Sequence, residues 1–174
     1  MDQTHDPELF LYVRSLRPRR AQERQDAVLD RLAALEEQGV IGDYTVVVWG
    51  RQLPASEEAV RTEFGAALQE RIEAFEDWAR RNDYSTAETF PIREVETMLT
   101  GERTYARLLP RLCLAEFHGR ALTFVTPVTG EGSPPTIEDR LDAIADGDAT
   151  PDGVEPVERA RAAGKRSHLQ SAIR

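Results

Sequence analysis

Leu9-Phe10-Leu11-Tyr12-Val13 and Tyr44-Thr45-Val46-Val47-Val48-Trp49 decide how this chain folds. Both are short apolar runs rich in aromatic and β-branched residues, the composition of strands. Between them Pro18 breaks the chain, and Arg19 to Gln38 carries Ala21, Val28, Leu29, Leu32 and Leu35 at the spacing of one buried helical stripe. Gly39 follows, where a helix end wants a left-handed residue. Strand, helix and strand in close succession describe a parallel βαβ unit with a right-handed crossover.

Outward from that unit, Ser56 can cap a second helix, and Glu57 and Glu58 suit its positive end. Val60, Phe64, Ala67, Leu68, Phe75 and Trp78 then hold one face over Ser56 to Asn82, expected beside the first helix on the same side of the sheet. Two hairpins follow: Ile92 to Leu99 with Arg103 to Leu109, then Arg111 to Phe117 with Ala121 to Thr126. Thr136 with Asp139 is a capping-box pattern for a short helix carrying Ile137, Leu141 and Ile144, which stops at Gly147. The expected architecture is a single α/β domain over 1–147, with a mixed sheet, two long helices on one face, C-terminal hairpins and a short helix. Its nearest familiar form is ferredoxin-like, a split βαβ. Residues 148–174 have little to bury and are expected to be a mobile charged tail.

Composition narrows the function classes. Of 174 residues 40% are apolar and 30% charged, which suits a folded core. The 31 acidic and 22 basic residues give a net charge of −9, and Lys165 is the only lysine. Dense carboxylates suit a cytosol rich in salt, where the screening length falls to roughly 3 Å at 1 M; coding bias alone would also replace lysine by arginine. No apolar run is long enough to span a membrane, and Met1 to Glu8 lacks the order of a secretory signal, so a cytoplasmic location is expected. Cys113 stands alone, and His5, His118 and His168 are far apart, which leaves no metal-ligand spacing. With no phosphate loop and no nucleophile elbow, the expectation is a non-enzymatic protein with no cofactor, no metal and no catalytic set.

The sharpest local feature is basic. Arg14, Arg17, Arg19, Arg20 and Arg24 face only Glu23, at the expected junction of first strand and first helix. Arginine matches phosphate bidentately, so this cluster is a candidate contact for an anion or nucleic acid. Pairing with the chain's own numerous carboxylates is the simpler reading of the cluster. Lys165 and Arg166, in a basic end that follows an acidic stretch, are candidates for non-specific nucleic-acid contact. Cys113 in Leu-Cys-Leu-Ala suits core packing, and His118 an exposed hairpin tip. Glu94 and Glu96 share one face of a strand, and Trp49 and Trp78 suit packing more than ligand binding.

Residues 31–48, Arg-Leu-Ala-Ala-Leu-Glu-Glu-Gln-Gly-Val-Ile-Gly-Asp-Tyr-Thr-Val-Val-Val, resemble the junction in leucine-responsive-type archaeal regulators between recognition helix and ligand-sensing domain; the local likeness centres on Leu35 to Val48. Those regulators place two further helices before the recognition helix, whereas strand one and an arginine-rich turn occupy that space here. As a whole, from Leu-Tyr-Val-Arg-Ser-Leu at 11–16 to Leu-Cys-Leu-Ala at 112–115, the chain resembles small haloarchaeal proteins commonly labelled "HTH domain protein". That resemblance implies a transcriptional connection and supplies no site residues. Three functions are left open: a regulatory or interaction module of a halophilic archaeon acting on another protein, a direct binder of double-stranded DNA, and a small-ligand sensor. A homodimer through edge strands is compatible with each.

Overall fold

Strand β1 (Glu8–Val13) is apolar at odd and even positions alike, and a strand of that kind must be covered on both faces. A computed structural model describes residues 7–16, 22–56, 60–148, 151 and 153–158, and shows how the cover is supplied. Helix α1 (Glu23–Glu37) leads to β2 (Tyr44–Val48), which pairs with β1 in parallel, Leu9 opposite Tyr44 and Val13 opposite Val48. After β3 (Gln52–Pro54) comes α2 (Glu63–Arg81), then β4 (Tyr84–Ser85) and the hairpin of β5 (Ile92–Glu96) and β6 (Arg103–Leu108). Strands β7 (Leu112–His118) and β8 (Ala121–Thr126) form the second hairpin, followed by β9 (Thr129–Gly130), α3 (Ile137–Ala145) and β10 (Val157–Glu158).

The main sheet runs β10-β8-β7-β1-β2, parallel only between β1 and β2. Small sheets β3-β6-β5 and β4-β9 flank it. The chain is thus an α/β protein with a mixed sheet, as expected, and both hairpins and the capped short helix form. Strand β5, however, ends at Glu96, and Thr97 to Thr100 belong to the turn, where the Thr97 carbonyl accepts from the Gly101 N–H at 2.8 Å. Thr136 accepts from the Asp139 N–H, and the Asp139 carboxylate accepts from the Thr136 N–H.

The placement of the long helices differs from expectation. Leu9, Leu11 and Val13 of β1, with Leu112 and Leu114 of β7, pack against Val28, Leu32 and Leu35 of α1 and Ile137, Leu141 and Ile144 of α3. Tyr12 of β1, with Cys113, Ala115 and Phe117 of β7, packs on the other face against Leu68, Ile72, Phe75 and Trp78 of α2. The helices therefore lie on opposite faces, because the side chains of β1 alternate across the sheet and both sets are apolar. Strands β1 and β2 are direct neighbours, so the βαβ unit is not split as in a ferredoxin-like sheet.

Helix α2 also starts later than Ser56. Thr62 is the cap, its hydroxyl accepting from the Gly65 N–H at 2.9 Å, and β3, which pairs with β6, ends at Pro54. Val60 precedes the helix and Phe64 stays exposed, while Ile72 and Ala79 complete the buried stripe. Past Gly147, where the tail is expected, Val157 is buried and β10 adds an edge to β8; residues 159–174 lie outside the described part.

One polar pair sits inside the α1–α3 layer. Glu116 of β7 is fully buried and binds Arg140 of α3 bidentately, Nε to Oε2 at 2.7 Å and Nη2 to Oε1 at 2.9 Å. His118 belongs to β7 rather than to an exposed tip, its Nε2 lying 3.0 Å from the same carboxylate. Removing one member would strand a buried charge. Arg140→Met is expected to lower unfolding free energy in urea by about 3–5 kcal/mol, and Glu116→Leu combined with Arg140→Met by clearly less.

Candidate anion site at the ends of the parallel strands

The carboxyl ends of β1 and β2 and the start of β7 converge at one edge of the sheet, because β7 runs antiparallel beside β1. Arg14 leaves β1, Arg51 follows β2 through Gly50, and Arg111 precedes β7, so three arginines distant in sequence arrive together. The loops carrying them are tied by backbone: Arg14 N–H donates to the Arg111 carbonyl at 3.2 Å, and Leu109 N–H to the Arg51 carbonyl at 2.9 Å. Trp49 buries its ring beneath and donates from Nε1 to the Pro110 carbonyl at 3.1 Å. Arg14 is half-buried and directs Nε and Nη2 onto the Leu109 carbonyl at 2.8 and 2.5 Å.

These residues line a concavity of about 510 Å³ at the start of α1. Four arginines, Arg14, Arg24, Arg51 and Arg111, contribute to its wall, together with Gln22 and Gln25 and the apolar Pro110, Leu112 and Pro127, and among the described residues no carboxylate lines it. Gln22 and Gln25 both donate to the Ser15 carbonyl, at 3.1 and 3.0 Å, which fixes the chain leaving β1 against the first turn of α1. Gln22 occupies the cap position of α1 without a side-chain cap hydrogen bond. Burial, and then the guanidiniums of Arg111 and Arg51, pull the Arg14 pKa below the ordinary arginine value. A site that holds like charges together in this way gains from an anion placed among them.

Of the arginines singled out in the sequence, Arg14 stands in this wall. Arg24 reaches its edge but is engaged elsewhere, bonding Glu138 of α3 bidentately at 2.7 and 2.9 Å. For Arg24 the neutralising carboxylate is therefore the chain's own. Among the described residues no carboxylate pairs with Arg14, Arg51 or Arg111. Arg17, Arg19, Arg20, Lys165 and Arg166 lie outside the described residues. Sequence inspection missed Arg51 and Arg111. The available signal was position, since each adjoins a strand end that the β1–β2–β7 pairing brings to one edge.

The other singled-out residues have structural neighbours. Cys113 is buried, and burial alone pushes its thiol well above the ordinary range. Glu94 lies 3.9 Å from Arg103 across the β5–β6 pair. Trp49 and Trp78 are both core residues, Trp78 meeting Phe124 edge-on at 5.8 Å.

The Arg24–Glu138 pair has a pH signature. Hydrogen bonding from Arg24 is the main cause that lowers the Glu138 carboxyl from its ordinary 4.5 to about 2. Its stabilisation is present above about pH 4.5 and is lost as the pH falls toward 2. Both side chains are about half exposed, so the pair contributes under about 1 kcal/mol. In Arg24→Ala, a carboxyl-resolved NMR titration should find Glu138 returned toward the ordinary carboxylate range.

No helix among the described residues is long and apolar enough to cross a membrane. No curated protein and no solved structure matches the chain. Residues 1–149 match a family described as a helix-turn-helix domain, a description that suggests a DNA-binding regulatory role. The match covers most of the chain, including every strand and helix from β1 to α3. The chain belongs to this helix-turn-helix domain family.

Proposed function

We propose that this chain is a non-enzymatic regulatory protein of a salt-rich archaeal cytoplasm that binds duplex DNA through its phosphates. Arg14, Arg51 and Arg111 form the contact. The observation that carries the reading is a wall in which Arg14, Arg51 and Arg111 meet no carboxylate among the described residues, on a chain of net charge −9. With acids in such excess, a cationic concavity of this size is a local exception. Guanidinium groups at a recessed surface suit phosphate oxygens by charge and by forked geometry. Family membership supports a DNA partner. Arg17, Arg19 and Arg20 follow Arg14 closely in sequence and would extend the same positive stretch.

The contact differs from recognition-helix docking. Helix α1 buries Val28, Leu32 and Leu35 against the sheet and is bracketed by β1 and β2, so the described arrangement offers arginines to the backbone rather than a helix to the major groove. Such contacts set affinity and position without reading bases. The single lysine among 22 basic residues and the acid excess support the halophilic setting.

Fluorescence anisotropy with short duplexes tests this reading. Affinity should change little with sequence and fall with salt at a log–log slope of about 0.9 per neutralised phosphate, roughly fortyfold between about 50 and 200 mM for three phosphates. Arg51→Ala combined with Arg111→Ala should weaken binding at least about tenfold and flatten that slope by about two. No duplex binding at about 50 mM salt would remove the proposal.

A further inference from the structure

We propose that the arginine concavity is a binding site for a small organic phosphate monoester, which competes there with duplex DNA. The occupancy stands on the shape and chemistry of the site; only its regulatory consequence rests on the DNA reading above. The volume, about 510 Å³, lies in the range of small-molecule sites, about 300–1,000 Å³, and far exceeds what a bare phosphate fills. Its wall divides into two chemistries. Arg14, Arg51 and Arg111 supply the charged part, and Pro110, Leu112 and Pro127 an apolar one. A ligand matching both has a dianionic head on an organic body.

The head is narrowed further by the arginines. Arg14 is half-buried in the wall and held by the Leu109 carbonyl, which accepts from Nε and Nη2 and fixes the guanidinium in place. Arg51 and Arg111 are exposed and bring two more forks. A terminal phosphate offers three oxygens and close to two negative charges at neutral pH, enough to answer three guanidiniums. A backbone diester offers a single charge between two sugars. Its one charge answers three guanidiniums less completely than a dianionic head does. Loops that emerge from the carboxyl ends of adjacent parallel strands also form the usual crevice of open α/β sheets. The site has a built frame, since Trp49, the Ser15 carbonyl with its two glutamines, and the backbone ties hold the loops without a ligand.

Isothermal titration with adenosine monophosphate, glucose 6-phosphate, inorganic phosphate and sulfate tests the occupancy, each at low and at molar KCl. At least one monoester is expected to bind at least tenfold more tightly than inorganic phosphate or sulfate. Its affinity should drop at least tenfold in Arg51→Ala with Arg111→Ala, or in Arg111→Ala alone should the double variant fold poorly, and be unchanged in Arg80→Ala. Arg80 is exposed on α2 and paired with Asp77, away from the concavity. Monoesters that bind no better than sulfate, or equally well without Arg111, overturn the proposal. The same monoester added to a labelled duplex complex separates the two readings. Displacement of the duplex supports both; monoester binding with no duplex complex upholds the occupancy and ends the DNA reading; duplex binding with no monoester preference does the reverse.

Discussion

The rest of the structure depends on β1 being apolar on both faces. Leu9, Leu11 and Val13 point one way, Phe10 and Tyr12 the other, and neither set tolerates water. One helix could cover only one of them, so the fold is a sheet between two helical layers. The α2 layer holds the aromatic cluster: Tyr12 meets Trp49 at 4.8 Å and Phe75 at 5.7 Å, and Arg71 stacks over Phe117 at 4.4 Å. The α1–α3 layer is aliphatic, and burying each such side chain contributes about 1.5–3 kcal/mol.

Into that aliphatic layer the chain places Glu116, and Arg140 must follow it. A buried carboxylate without a partner is costly, so the pair fixes where α3 sits on the sheet. Helix α3 in turn presents Glu138 to Arg24 and Asp142 to Arg31, which joins it to α1 through surface pairs. These surface pairs define an arrangement more than they stabilise one. They also remove Arg24 from the pool of cations open to an outside anion. Arg14, Arg51 and Arg111, none of which pairs with a carboxylate among the described residues, stand together where the ends of β1, β2 and β7 converge.

The family description and the fold meet in an uneven way. A helix-turn-helix reader places consecutive helices against one another, yet here α1 is held between two parallel strands, and α2 and α3 are each separated from it by strands. Anion recognition in the described part comes from strand-end loops, which are positioned by a rigid sheet and can therefore hold like charges close together. The hairpin of β5 and β6 stands apart from the main core, with Met98 and Leu99 at its turn almost fully exposed. Arg93, Glu94 and Glu96 put charge along its edge strand, a feature that discourages indiscriminate strand pairing.

Local chemistry was legible from the residues alone. The strand at Leu9–Val13, the helix ending before Gly39 at φ +68° and the Thr136–Asp139 box are each specified by side chains near in sequence and stand as written. Both hairpins form, with β5 ending at Glu96 short of Leu99 and His118 inside β7. The unbroken apolar run of β1 also carried the message that both faces need cover, although choosing which helix covers which face required the pairing of β1 with β7. The start of α2 lies at Thr62, not Ser56, because Ser56 and Thr62 have equal local capping chemistry and only the folded chain shows which hydroxyl meets a helix N–H, that of Gly65. The site divides along the same line. Arg14 and its basic neighbours could be read from the chain as a cluster, whereas Arg51 and Arg111 become part of it only when strands far apart in sequence align. Short-range preferences act over a few bonds and are written in the residues; the meeting of strand ends is set by hydrophobic burial summed over the whole sheet, which no local stretch contains.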